Sequence, residues 1–497
     1  MQLILVLLFV PLFLLFNFCS DGYTANPSAP TGLTVIETTT SITQYGITWT
    51  FAEPVGYGQF VNGDYWVVGL VNGVKITGIK PGFVTHPTTG RAMNGSMLNP
   101  RDMDQGYDSF RDYDASKNVG IGISPATPLV LANDSSLVST ISNAAPTGND
   151  SYVKTAAVLT CLSSAPAEGS FRPGISTSTK TILSANNLDY LKLQKLAVPP
   201  GITVTAATLT TQANALKMVF LDHGGWTTRF IRPSDSGLFS NYYYGFDFSG
   251  AALMLNLDFT DLEKRSLLIN FIQLGIDLYS FIEAGPTGNL VSTGEPFYGW
   301  QPDGGNSNGR KWPILFAGIM LDYSPMKNIG QKSGDYLYSN GHGPGNPPSD
   351  YVFFGEDGQT FYVTQADVNL TNGATWNPDP NTAPNFPYTS SMIGMPEWGI
   401  KHATRPQDSD AAWTANYRAI LTGAGHCWAG DVMAARLMEG GKALWNNNAF
   451  FDYIDRYMAI SKGGTDPFGY LVPRESVVSR PTQYLAGKMF DTYRLAY

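Results

Sequence analysis

Four of the five histidines lie beyond residue 204, beside small, aromatic or polar neighbours. His223 sits in LDHGGW, His342 in SNGHGPGN, His402 in WGIKHATRP and His426 in GAGHCWAGD. Small neighbours leave an imidazole open to a ligand, and imidazole titrates near neutral pH, which suits proton transfer. A lone histidine is more often structural, so the weight falls on the group. The stretch EPFYGWQPDGGNSNGRK (295–311) adds Trp300, Asn306, Asn308, Arg310 and Lys311. SGDYLYSNGH places Tyr338 just before His342, and WTANYR places Tyr417 and Arg418 upstream of His426. On a helix, the offset of eight between Arg418 and His426 is nearer to a shared face than the offset of nine from Tyr417. No two histidines have the i,i+4 spacing of a helical metal site, so no metal is expected.

Histidine, tyrosine, arginine, asparagine and tryptophan on loops suit the β-elimination of a uronic-acid polymer. That reaction needs a cation or amide to neutralise the sugar carboxylate as enolate-like charge develops. It also needs a base for the carbon-bound proton and an acid for the leaving oxygen. The expected catalytic set is Arg310 and Arg418, with Asn308, for the carboxylate, and His342, His426, Tyr338 and Tyr417 for base and acid. Trp226, Trp300 and Trp428 would stack on sugar rings, with Asn306, Lys311, His223 and His402 binding substrate. No cofactor is required.

A glycoside hydrolase would instead need two carboxylates, from Asp222, Glu295, Glu356, Asp357, Glu397 or Asp431. Glu356 and Asp357 are adjacent, and in a strand they would face opposite ways. A non-catalytic carbohydrate-binding or cell-surface protein also fits the aromatic loops, but leaves the histidine and arginine contexts unexplained.

The elements that must hold these groups fall into two textures. With 497 residues the chain exceeds the size at which one core usually stops growing. Aromatics at 13% and sparse charge mark a folded composition. A net charge of −9 without a long basic run argues against a nucleic-acid partner, while leaving room for a local basic cleft that binds an acidic polysaccharide. Leu3 to Phe16 is an apolar run of signal-peptide length, which gives residues 1–25 as a signal and a secreted, periplasmic or cell-surface location without stable membrane insertion. Cys161 and Cys427 then remain as a disulfide or two buried thiols.

Residues 26–204 read as a β-sandwich-like module, with short strands such as ITWTF, YWVVGLV and VKITGI, a pattern that VKTAAVLTCL (153–162) and YLKLQKLAV (190–198) continue. VNG (71–73) signals a hairpin, and 91–117 reads as a long surface loop. Residues 205–497 read as an all-α domain of helical hairpins with long loops, which makes the whole an α+β multidomain chain. TDLEKRSLLINFIQLGIDLYSFIEAG (260–285) is the strongest helix, with Thr260 and Glu263 spaced as a capping box. In QPDGGNSNGRKWPILFAG (301–318), a polar loop with two cations meets a buried helix, which is the pattern of an anion-binding helix N-terminus.

The secretion signal, the β module and these loops over helices resemble secreted polysaccharide lyases with an α/α toroid, of the broad alginate- and heparinoid-lyase type. The resemblance covers roughly 205–460 and implies a toroid-like catalytic domain and a uronate substrate. The chain departs from the pattern in two ways: its β module precedes the helices, and LDHGGW lacks the asparagines of an Asn-Asn-His motif.

Overall fold

The structure is a computed structural model that describes residues 36–69, 72–101, 105–146, 152–221, 232–238, 244–289, 296–300, 308–333, 350–373, 387–398, 422–460 and 481–497. It has α+β architecture, with a curled sheet followed by helices.

The sheet contains β1 (Thr38–Gln44), β2 (Ile47–Gln59), β3 (Tyr65–Val68), β4 (Val74–Lys80), β7 (Ser96–Leu98), β8 (Leu129–Leu131), β9 (Ser135–Ser142) and β10 (Val153–Leu162). A small ribbon of β5 (Val84–Thr85) and β6 (Ala92–Met93) stands apart. The strand order is β7-β9-β10-β3-β2-β4-β8, with β1 along β2. Tyr45 and Gly46, both at positive φ, make the two-residue turn from β1 to β2. Ile47, Trp49 and Phe51 alternate inward along β2 and pack with Val67, Ile76, Leu131 and Leu159. β10 is covered on both faces: Ala157, Leu159 and Cys161 join that inner cluster, while Ala156 and Val158 join the core shared with the helices. Cys161 is a free, buried thiol.

Three sequence expectations change here. β3 and β4 each pair with a different half of β2, not with each other, so VNG does not close a hairpin between them. Residues 91–117 carry β6 and β7, and bury Gln105, Tyr107 and Asp108 fully. Arg91 clamps this segment through two 2.7 Å bonds to Asp108, a polar network that hydrophobic periodicity does not reveal. Within YLKLQKLAV (190–198), Tyr190–Lys192 form a single 3-10 turn with no strand.

The helices are α1 (Ala206–Ala215), α2 (Tyr244–Leu255), α3 (Asp261–Glu283), α4 (Lys311–Leu321), α5 (Ser324–Lys327), α6 (Ile329–Lys332), α7 (Gly355–Gln359), α8 (Gln365–Thr371), α9 (Thr422–Leu437), α10 (Gly441–Trp445), α11 (Asn448–Ile460) and α12 (Pro481–Tyr493). The capping box of α3 forms: the Glu263 N–H donates to Thr260 Oγ1 and the Thr260 N–H donates to Glu263 Oε2. α3 packs on α1 and α4, and α9 packs on α2 and α12. Gly275 allows the α3–α4 approach, since a Cβ there would sit 2.2 Å from the Pro313 carbonyl oxygen. Among the described residues no helix is long and apolar enough to cross a membrane.

Sheet and helices share one apolar cluster, which runs from Met97 and Val158 to Phe271, Trp312 and Trp428. A buried ionic clamp adds to it. The Arg172 guanidinium donates to Asp64, between β2 and β3, and through two nitrogens to Asp277 on α3.

Candidate functional site

The site forms where α4 begins. β12 (Pro296–Gly299) pairs in parallel with β13 (Val352–Phe353), and the Trp300 N–H donates to the Phe353 carbonyl at 2.8 Å. This pairing carries the chain on either side of 300 against the segment that follows 353. Gly309, at φ +80, turns the chain into α4. Arg310 is the N-cap residue and offers no side-chain cap, and Pro313 in the first turn needs no N–H partner.

The free amide end of α4 meets an internal carboxylate. The Lys311 N–H donates to Glu356 Oε1 at 3.4 Å. Glu356 and Asp357 belong to α7, one turn of helix, and both are buried. The extended geometry under which they would diverge does not apply. A five-residue helix flanked by Phe354 and Thr360 is too short for a periodic signature, so the sequence hides it.

Asp357 is saturated. Lys311 Nζ donates to Asp357 Oδ2, and Trp445 Nε1 and Asn447 Nδ2 donate to Oδ1 at 2.8 and 3.2 Å. Lys311 Nζ also donates to the Trp445 carbonyl at 2.6 Å and lies 5.1 Å from the Trp445 ring centroid and 5.6 Å from that of Phe354. Burial pulls the Lys311 ammonium below its usual range, and Asp357 opposes that shift. Trp445 is fixed by stacking on Phe450 at 4.7 Å and on Trp312 at 6.2 Å.

Glu356 differs. It is fully buried, and its Oε2 accepts no hydrogen bond among the described residues. Burial, then the neighbouring Asp357 charge, push its carboxyl from 4.5 up to about 7. A carboxyl poised near neutral pH can give or take a proton. One residue before Lys311, the Arg310 guanidinium lies 5.2 Å from the Trp300 ring centroid, and Trp300 packs on Phe354 at 5.9 Å. Asn308 is buried in the same turn.

The structure therefore brings Trp300, Asn308, Arg310 and Lys311 together. Two of their expected roles need correction. Lys311 is not a substrate-binding cation, because its ammonium is consumed by Asp357 and the Trp445 carbonyl. Trp300 has its ring covered by Arg310 and Phe354 and is 1% exposed, so it holds the guanidinium and offers no face to a sugar. Trp428 is likewise a core residue, packed on Phe450 and Tyr453 with no exposure. Its place on α9 gives it a buried face, which the small residues around it in the sequence do not disclose. His426 also lies on α9, with its side chain outside the description. His223, Trp226, Asn306, Tyr338, His342, His402, Tyr417 and Arg418 lie outside the described residues.

Trp445 and Asn447 were not singled out in the sequence. The amide run WNNN (445–448) just after a helix is the one local signal, since asparagine at such a break can cap the next helix. Asn447 Oδ1 does so, accepting from the Phe450 N–H at 3.2 Å. No family model, curated protein or solved structure matches this chain.

Proposed function

We propose that the protein is a secreted carbohydrate-active enzyme that cleaves a uronic-acid-containing polysaccharide by β-elimination, with a toroid-like arrangement of its helices around the site. One observation carries the choice of chemistry: of two adjacent buried carboxylates, Asp357 is fully committed and Glu356 keeps a free oxygen. Hydrolysis on this pair would need both carboxylates free to act, and Asp357 is not. A single proton-transfer carboxyl beside a cation and an amide fits elimination.

In this reading Arg310 and Asn308 neutralise the uronate carboxylate, with Arg418 as a further cation. A base drawn from His342, His426, Tyr338 and Tyr417 takes the proton on the carbon next to that carboxylate. The bond from the neighbouring ring carbon to the glycosidic oxygen breaks as the carbon–carbon double bond forms within the ring, and protonated Glu356 supplies the proton to that leaving oxygen. The water-excluded setting strengthens each of these interactions. Glu356 is closed to solvent in this state, so catalysis requires an opening that admits the sugar.

The test is incubation with a panel of uronate polymers, followed in the ultraviolet for unsaturated products. Absorbance that grows with time supports the proposal. New reducing ends without it would assign hydrolysis, and glycan binding with neither signal would assign a binding protein.

A further inference from the structure

The segment from Gly440 to Asn448 has two sides. Trp445 and Asn447 turn inward to Asp357. Lys442, Asn446 and Asn448 instead line a cleft of about 850 Å³, together with Tyr362 and Arg436. That volume suits a small ligand or a few sugar rings, and the lining is rich in amides and cations. Asn447 belongs to both sides, because it lines the cleft while donating to Asp357.

The charges of the cleft are not fully balanced. Arg436 Nη2 donates to Asp455 at 2.9 Å, and Asp455 also takes Arg494. Asp452 accepts from the Tyr362 hydroxyl at 2.5 Å. Lys442 has no carboxylate partner among the described residues. Its ammonium lies 5.3 Å from the Phe451 ring centroid, and the Arg436 guanidinium lies 5.4 Å from the same ring. Phe451 thus gathers two cations at one wall. The Asn448 amide is exposed and has no hydrogen-bond partner among the described residues.

We infer that this cleft is a second saccharide site, which takes a carboxylate-bearing sugar with Lys442 on the carboxylate and the Asn448 amide on ring hydroxyls, since Asn446 Nδ2 donates to the Gly330 carbonyl and the Asn447 amide is held by Asp357 and the Phe450 N–H. The inference rests on the proposed uronate substrate for its ligand class. Amides satisfy hydroxyl groups in both donor and acceptor roles, and an unpaired ammonium selects an acidic sugar over a neutral one. Asn447 is then a positioning residue, since occupancy of the cleft bears on the amide that holds Asp357.

The test uses the full chain carrying Glu356→Gln, so that turnover does not consume the ligand. Calorimetry at low salt would compare tetragalacturonate and tetramannuronate with cellotetraose. At least one acidic tetramer should bind, more weakly as salt rises. Adding Lys442→Ala should weaken it about tenfold, and should leave any cellotetraose binding unchanged. Asn448→Asp provides a second variant, because a carboxylate in the first turn of α11 favours the helix while repelling a uronate. No binding of either acidic tetramer, or equal affinity in both added variants, overturns the inference. Cleavage by the wild-type protein with affinity indifferent to Lys442 sinks the cleft and spares the proposed reaction. Lys442-dependent binding without wild-type cleavage does the reverse.

Discussion

The buried ionic networks around Arg172 and Lys311 differ, among the described residues, in whether every carboxylate oxygen has a donor. Around Arg172, every carboxylate oxygen has a donor. Asp64 takes Arg172 on Oδ2 at 2.5 Å, Gln44 on Oδ1 at 2.9 Å and Asn62 on Oδ2 at 2.8 Å. Asp277 takes Arg172 on both oxygens, at 2.8 and 2.5 Å. Burial alone would lower the Arg172 guanidinium, but Asp277 and Asp64 outweigh it and hold the charge more firmly than usual. Around Lys311 the same count fails at one atom, Glu356 Oε2. A saturated network fixes geometry, here the seat of the sheet on α3. A network with one open oxygen and a carboxyl near 7 retains a proton to move.

The largest effect separates the two networks by what is lost. Arg172→Ala strands two buried carboxylates and should cost about 3–5 kcal/mol in urea unfolding, while activity per folded molecule survives. Activity lost in step with Arg172 would make that clamp part of the site.

Glu356→Gln should act in the opposite sense on stability. The folded carboxyl titrates near 7 against an ordinary value of 4.5, so the folded state binds the proton more tightly. Its stability contribution is whole below 4.5 and declines as pH rises through about 7. Glutamine removes that slope. The variant should therefore gain on the wild type between those pH values, by roughly 3 kcal/mol above pH 7. Parallel stability curves across that range would contradict the assigned ionisation.

Gly275→Ala tests whether the two networks are coupled, because α3 carries Asp277 and α4 begins at Lys311. The new methyl meets the Pro313 carbonyl and Ala317 at 2.2 and 2.7 Å and must push the helices apart. The expected cost is about 1–3 kcal/mol, with a fall in activity if α4 shifts its N-terminus against Glu356. Lys327→Ala is the control at the small end. Its pair with Asp322 is solvent-exposed, and its loss should change stability by less than about 1 kcal/mol.

What the sequence disclosed follows the length and periodicity of each element. α3 is long, capped and apolar on its buried faces, and α11 spans the whole of the stretch AFFDYIDRYMAI. β3 and β10 lie within β-branched or aromatic runs and β4 nearly so, while β2 starts in the run ITWTF and continues to Gln59. Of the site, the junction of loop and helix at Arg310–Lys311 was visible, but its occupant was not. The group at the α4 N-terminus is the Glu356 carboxyl, reached through the parallel pairing of β12 and β13 across more than forty residues of sequence. Pairing of two- and four-residue strands leaves no local pattern. α1 and α12 were missed as well, the first rich in threonine and alanine with little apolar contrast between its faces.

The central claim is that Glu356 carries the proton and Asp357 only holds the frame. It is tested most directly by assaying Glu356→Gln on the polymer that the wild type cleaves, with thermal unfolding followed in parallel at pH 8. Unsaturated product should fall by at least a hundredfold, as for removal of a general acid, with a melting temperature equal to or above that of the wild type. Retained turnover, or a variant that loses activity only because it no longer folds, would contradict it.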